Sequence, residues 1–279
     1  MRHCDSTEKI RRVKLLLGSD KLKEERSGIE RIIKSAGLKI TPKSAQAGIV
    51  IGGDGAFGLY GGIEKLPLLF VGKKSPSKLG SKALMAEVYM DNISGALDAL
   101  IKGTYAIDRQ QKLGVSVNGV RKGEVFTDVY MQRGAESNAL RYEVHAYGNG
   151  IEIREFAISD GVVISTHAGA TGYFSYPNKI VFRDLFDSKN FGRIGRNEIG
   201  VCHILPTYIH RDGAGAGMQP LRYRIPIGTT VDIMLKREAD ARLYGIGDKR
   251  EGIQIGLGCI VSVRADGSYA RLIKLPPQP

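Results

Sequence analysis

The sequence predicts an α/β fold, an N-terminal Rossmann-like nucleotide-binding domain followed by a second, β-rich domain. Three observations carry this expectation. Short apolar runs at residues 13–17, 47–51 and 66–71 are separated by a helical pattern and glycine stops, as expected of parallel strands covered on both faces. From about residue 111 the texture changes to closely spaced strand patterns. A Gly-Gly-Asp-Gly turn, Gly52 to Gly55, directly follows the run at 47–51, where ligands of open α/β sheets bind.

In chain order, residues 13–17 form a buried strand ending at Gly18, and 19–36 read as one amphipathic helix with Ile29, Ile32 and Ile33 on one side. Gly37 supplies a helix stop. Strands are expected at 38–40, 47–51 and 66–71, and a short helix at 92–102. The second domain is expected to carry strands at 113–117, 125–131, 141–147, 151–156 and 161–165, then at 201–205, 230–235, 241–244, 252–255, 259–263 and 270–275. Gly148-Asn149-Gly150 reads as a hairpin turn, because these residues tolerate positive φ. The expected domains are 1–108 and 109–279, with the last segment free to pack back on the first. Residues 212–217 read as a mobile loop and 276–279 as a frayed tail.

Composition narrows the classes of function. Hydrophobic residues at 42% and charged residues at 25% are the balance of a globular protein. No apolar run approaches the ~18 residues that span a bilayer, and residues 1–12 are polar, so a cytoplasmic protein without membrane association is expected. Cys4, Cys202 and Cys259 are too scattered for a disulfide framework or a zinc site; the last two read as small strand residues. The formal charge of +12 favours anionic partners. Its even spread, the absence of Trp and the lack of any nucleic-acid-binding signature turn that expectation from nucleic acid to nucleotide phosphates. No histidine cluster indicates a transition-metal site, so no metal ligands are assigned, and no GxSxG elbow supports hydrolase chemistry. Of the five histidines, His167 alone falls within a candidate site.

Two segments carry chemistry. In the first, glycines after a buried strand let the backbone approach phosphate oxygens, and Asp54 among them can accept a proton from a hydroxyl attacking a γ-phosphate or help hold Mg²⁺. An ordinary Asp-Gly turn is the alternative. In the second, the strand at 161–165 runs from Asp160 into Thr166-His167-Ala168-Gly169-Ala170-Thr171-Gly172-Tyr173, small residues that leave room for a flat ligand. The alternative there is a tight turn with no ligand.

Together the segments resemble the NAD kinase family. Its members carry a GGDG turn and, further on, a DGxxxSTPTGSTAY segment after an Asn-Glu pair. This chain matches the first in full and the second at Asp160, Gly161, Ser165, Thr166, Gly169, Thr171 and Tyr173. The resemblance implies a kinase that transfers the γ-phosphate of ATP, or of polyphosphate, to the 2′-hydroxyl of the adenosine ribose of NAD, giving NADP. Asp54 would then be the catalytic base, with Gly52, Gly53 and Gly55 near the triphosphate and Mg²⁺ arriving with the ATP. Thr127 and Asp128 would take the place of the adenine-facing pair, Asp160 would meet the nicotinamide end, and Ala168, Thr171, Gly172 and Tyr173 would line the dinucleotide pocket. Family members commonly assemble as homodimers or homotetramers.

The departures from the pattern concern the acceptor side. Where the family has Asn-Glu-Val-Val-Ile-His-Arg-Gly, this chain has Thr127-Asp128-Val129-Tyr130-Met131-Gln132-Arg133-Gly134. His167, Ala168, Ala170 and Gly172 replace the usual proline, hydroxyl residue, serine and alanine. The family's Gly-Ile-Asn-x-Gly-x-Leu-Gly-Phe-Leu segment has no clean counterpart at 70–84, where Lys73 and Lys74 stand. A divergent member is therefore expected. Two other readings stay open, a related kinase acting on a lipid or other small alcohol, and a catalytically silent nucleotide-binding regulator.

Overall fold

The computed structural model describes residues 8–73, 83–177, 193–212, 221–247 and 251–276. The lysine-bearing stretch from Lys74 onward, the loop from residue 213 and the tail from residue 277 lie outside the described residues. The chain divides into two compact units, residues 1–110 with 269–279, and residues 111–268.

In the first unit a parallel sheet runs in the order Lys39–Ile40, Arg12–Leu17, Ala47–Gly52, Leu68–Gly72. Val88–Tyr89 pairs with Leu68–Gly72, and Leu272 near the end of the strand Ile260–Lys274 pairs in parallel with Leu68. Every residue of Ala47–Gly52 and Leu68–Gly72 is buried, as unbroken apolar runs require. Residues 19–36 form two helices, Asp20–Glu24 and Arg26–Ser35, in place of the single one expected. Ile29 and Ile33, one turn apart, face the sheet; Ile32 is 43% exposed because it sits ~100° around the helix from Ile33.

The structure adds a helix that the sequence did not suggest, Asp54–Ile63, immediately after Gly53. Four of its ten residues are glycine, each costing about 1 kcal/mol of helix propensity. Packing outweighs that cost. Phe57 is fully buried and stacks on Phe70 at 4.6 Å, and the Tyr60 hydroxyl donates to the Leu17 carbonyl.

The second unit is built from two antiparallel sheets. One has Tyr208–Arg211, Ile151–Ser159, Leu140–Gly148, Thr230–Leu235 and the first part of Ile260–Lys274 in that order, followed by the hairpin of Ala106–Val117 and Val120–Val125. The other has six strands, Arg222–Pro226, Glu198–Ile204, Gly161–Ser165, Asp128–Arg133, Ala241–Tyr244 and Ile253–Ile255. Leu140, Tyr142, Val144 and Val231 of the first pack with Val129, Met131, Val162 and Val201 of the second in one core. The Asn149-Gly150 turn expected from sequence is present with φ of +50° and +76°. A second one, Asn118-Gly119, also has positive φ and joins Ala106–Val117 to Val120–Val125; the expected strand at 125–131 is divided between the end of Val120–Val125 and the start of Asp128–Arg133.

A buried polar chain ties the two sheets together beside the candidate site. Glu155 accepts from Arg211 Nε at 2.9 Å, from the Tyr223 hydroxyl at 2.6 Å, and pairs with His203 Nε2 at 3.3 Å. Burial alone raises its carboxyl, yet hydrogen bonds from His203 and Tyr223 and the charge of Arg211 leave it below its ordinary value. His203 Nδ1 meets the Tyr142 hydroxyl, which also contacts Ser159 Oγ and the Gly161 carbonyl. The corner from Asp160 into the strand Gly161–Ser165 is thus anchored from below. No helix among the described residues is long and apolar enough to cross a membrane.

Candidate functional site

The first group of candidate residues lies where Ala47–Gly52 ends and Asp54–Ile63 begins. Gly53 is the extended N-cap and Asp54 the first helical residue, so its carboxylate sits at the positive end of the helix dipole. Asp54 is half-buried, and one carboxylate oxygen accepts the Met85 N–H at 3.0 Å. That bond holds the side chain in place without burying it. Gly52 is packed too tightly for a side chain, since a Cβ there would stand 2.8 Å from Ala56 Cβ. Gly55 is the reverse case: it is exposed, with nothing within 4 Å of an added Cβ. Packing explains Gly52; at Gly55 the bare backbone is left open to an approaching ligand.

The second group lies in the second unit. Antiparallel register places Asp128 opposite Ser165, and Gly161 opposite Gln132, so Thr127 and Asp128 meet the end of the strand that leads into Ala168–Thr171. The Thr166 N–H donates to the Thr127 carbonyl at 2.8 Å, and the Thr166 hydroxyl to the Phe126 carbonyl. Gly169 passes so close to this backbone that a Cβ would lie 2.4 Å from the Thr127 carbonyl oxygen, and at Gly245 it would lie 2.3 Å from that of Asp128. Both glycines are needed for close approach, and at Gly245 the sequence signal is only the Gly245-Ile246-Gly247 run after a strand.

The Asp128 carboxyl is enclosed by Thr127, Gly172 and Tyr173. Burial pushes it from 3.8 up to about 6, against hydrogen bonds from the Thr127 side chain and the Tyr173 backbone. Gly172 is exposed, and a Cβ there would come within 3.5 Å of Asp128 Oδ2. Thr171 is exposed and Ala168 half-buried on the same turn. His167 bonds through Nδ1 to the Ile194 carbonyl. Thr127, Asp128, Ala168, Thr171, Gly172 and Tyr173 therefore lie together in one cluster of the second unit.

Asp160 stands apart from them, at the other end of the five-residue strand, roughly 15 Å away along the backbone. It pairs with Arg133 Nε at 2.9 Å. The Tyr173 ring bridges part of that gap: burial first, then the charges of Asp160 and Asp128 among others, raise its phenol.

Gly161, next to Asp160, has φ of +151°, and a Cβ would lie 2.1 Å from the Met131 carbonyl oxygen. Gly161→Ala is expected to destabilise the second unit by roughly 3 kcal/mol or more through backbone strain and displacement of the neighbouring strand. Urea titration followed by tyrosine fluorescence measures this; an unchanged midpoint would show that the corner relaxes freely. Among the described residues no group of three or more His, Cys, Asp or Glu could hold a metal ion.

No protein-family model matches the chain. The chain is 29% identical over 180 residues to the NAD kinase of Picrophilus torridus, a stretch covering 64% of this chain and 59% of that one. It is 32% identical over 240 residues to the NAD kinase of Geobacter metallireducens, covering 83% of this chain and 74% of that one. The chain thus spans about three fifths of the length of the first relative and about three quarters of the second. Two solved structures share its fold. An NAD kinase from Archaeoglobus fulgidus in complex with ATP superposes with a TM-score of 0.65 at 14% identity, covering 94% of this chain and 93% of that one. Yeast NADH kinase complexed with NADH superposes with a TM-score of 0.69 at 11% identity, covering 97% and 85%.

Proposed function

That this chain belongs to the NAD kinase family is the premise from which we propose its reaction, transfer of the γ-phosphate of ATP to the 2′-hydroxyl of the adenosine ribose of NAD, giving NADP. The observation that carries the reading is Asp54, a half-buried carboxylate held by the Met85 N–H at the junction of a buried strand and a helix. As the acceptor hydroxyl attacks the γ-phosphorus, its proton passes to Asp54, and ADP departs with the electrons of the broken phosphoanhydride bond. Gly52, Gly53 and Gly55 present backbone to the triphosphate, where the helix N-terminus favours anionic oxygens.

Mg²⁺ delivered with the triphosphate would supply neutralisation of the charge on its oxygens. The residues present fit an ion that arrives with its nucleotide, since Asp54 places a carboxylate beside the glycine turn, where it would face such an ion. On the acceptor side, Thr127, Asp128, Ala168, Thr171, Gly172 and Tyr173 line the dinucleotide pocket, and Asp160 meets its nicotinamide end. An ionised Asp128 accepts from an exocyclic amine of the base. The enzyme works in the cytoplasm as a homodimer or homotetramer.

An acceptor panel tests the proposal. Purified protein is supplied with Mg²⁺ and either ATP or polyphosphate, and with NAD, NADH, diacylglycerol or inositol, and phosphorylated product is measured. NAD is expected to be the preferred acceptor. Turnover of diacylglycerol or inositol without turnover of either dinucleotide would sink the acceptor assignment, and nucleotide binding without any turnover would make the chain a silent regulator.

A further inference from the structure

The reaction above leaves Tyr130 and Tyr244, which sit beside Tyr173 in the second unit, without a part. Tyr130 lies two residues beyond Asp128 on the strand Asp128–Arg133, so both side chains point to the same face of the sheet. Its cross-strand partners are Val163 on one side and Tyr244 on the other. The Tyr130 and Tyr244 rings stack with centroids 5.3 Å apart and 22° between their planes. Tyr173 tilts against Tyr130, also at 5.3 Å, at 45°. Tyr244 in turn rests on Gly252, where a Cβ would lie 2.8 Å from the ring.

Each of the three tyrosines is half-buried: Tyr130 and Tyr173 pack on one side against the buried cluster of Val163, Ala170 and Phe174, and the accessible part of the rings is left as an aromatic surface. A planar ring inserted between two of them would need about 7 Å, twice the contact distance of ~3.5 Å. The spacing of 5.3 Å forbids that, and a flat ligand must lie across the outside. Asp128 supplies a polar edge to this face, and Tyr173 N–H bonds its carboxyl. The turn beside it carries little side-chain bulk, at Ala168 and Gly172.

We propose that Tyr130 is a specificity-determining residue of the acceptor site: with Tyr173 and Tyr244 it forms an aromatic shelf on which the flat base of the dinucleotide lies, its amine-bearing edge toward Asp128. The inference rests on the acceptor reading given above. An aliphatic side chain at this position offers no face to stack on, whereas stacking a base on an aromatic ring changes affinity by about one to two orders of magnitude. The shelf holds the acceptor equally before and during phosphoryl transfer, so its removal acts on binding and not on the chemical step.

The test measures equilibrium binding of NAD, AMP and nicotinamide mononucleotide by calorimetry, together with KM and kcat, for wild type, Tyr130→Val, Tyr130→Phe and Tyr244→Leu. Tyr130→Val is expected to weaken NAD binding and raise KM about 10- to 50-fold with kcat changed less than about threefold. Tyr130→Phe restores most of the affinity, and Tyr244→Leu moves KM in the same direction as Tyr130→Val. The proposal is overturned if Tyr130→Val binds NAD as tightly as wild type or more tightly, which would make the ring a filler of space, or if Tyr130→Phe loses as much as Tyr130→Val. Failure of wild type to bind any of the three nucleotides would remove the acceptor reading itself, and this one with it.

Discussion

Asp54→Asn is expected to lower kcat by about three orders of magnitude while leaving KM for both substrates within a fewfold of wild type. The substitution removes the proton acceptor and its negative charge while keeping the shape of the side chain. The asparagine side-chain carbonyl can still accept the Met85 N–H, and the loss of a negative charge in the first turn of Asp54–Ile63 costs only about 0.3–1 kcal/mol. A thermal melt within a few degrees of wild type would separate the kinetic effect from unfolding. Retention of a tenth or more of the wild-type kcat by a folded Asp54→Asn protein would mean that another group takes the proton, and the assignment of the catalytic base would fail.

Asp128→Asn is expected to do the opposite to stability and a different thing to activity. Because burial holds the Asp128 carboxyl at about 6 instead of 3.8, the folded protein binds more protons than the unfolded chain between about pH 4 and 6. Stability therefore falls as pH rises through that window, and at pH 7.5 the ionised carboxylate costs on the order of 2 kcal/mol. Asparagine carries no charge to desolvate and keeps an oxygen that accepts from Thr127 and Tyr173. Unfolding at pH 7.5 should require more denaturant in Asp128→Asn than in wild type, with the gain vanishing near pH 4.

Affinity moves the other way. The ionised carboxylate is the form that accepts from a base amine, so KM for the acceptor should rise in Asp128→Asn, and in wild type as pH drops below about 6. A stability gain coupled to an affinity loss marks a carboxylate retained for binding at the expense of folding. A variant less stable than wild type at pH 7.5 would show that Asp128 holds the turn Ala168–Thr171 together structurally.

The strands of the first unit were legible because they are buried on both faces, and an unbroken run such as Ala47–Gly52 has few other ways to fold. The helix Asp54–Ile63 was not legible. Its glycines argue against a helix locally, and only the fit of Phe57 on Phe70 and the closeness of Gly52 to Ala56 explain it. In the second unit the Asn149-Gly150 hairpin announced itself through its turn residues, whereas the edge strands Tyr208–Arg211 and Arg222–Pro226 are too short and too rich in polar residues to stand out. Tyr130 was visible as a departure from a family pattern, but its stacking on Tyr244 depends on a cross-strand pair more than a hundred residues apart in sequence.

By itself the sequence determined what local chemistry can encode: the α/β order of elements, the glycine turn carrying Asp54, the small-residue segment ending at Tyr173, and membership of a kinase family through their order and spacing. Tertiary structure alone decided that Asp128 lies opposite Ser165, that Gly169 presses against the backbone of Thr127 and Gly245 against that of Asp128, and that Asp160 stands a strand length away beside Arg133. The division has one physical reason. Turns and strands follow from a residue and its near neighbours, whereas desolvation, register and close approach are properties of whatever the finished fold brings alongside, and the raised carboxyl of Asp128 exists only after that packing is complete.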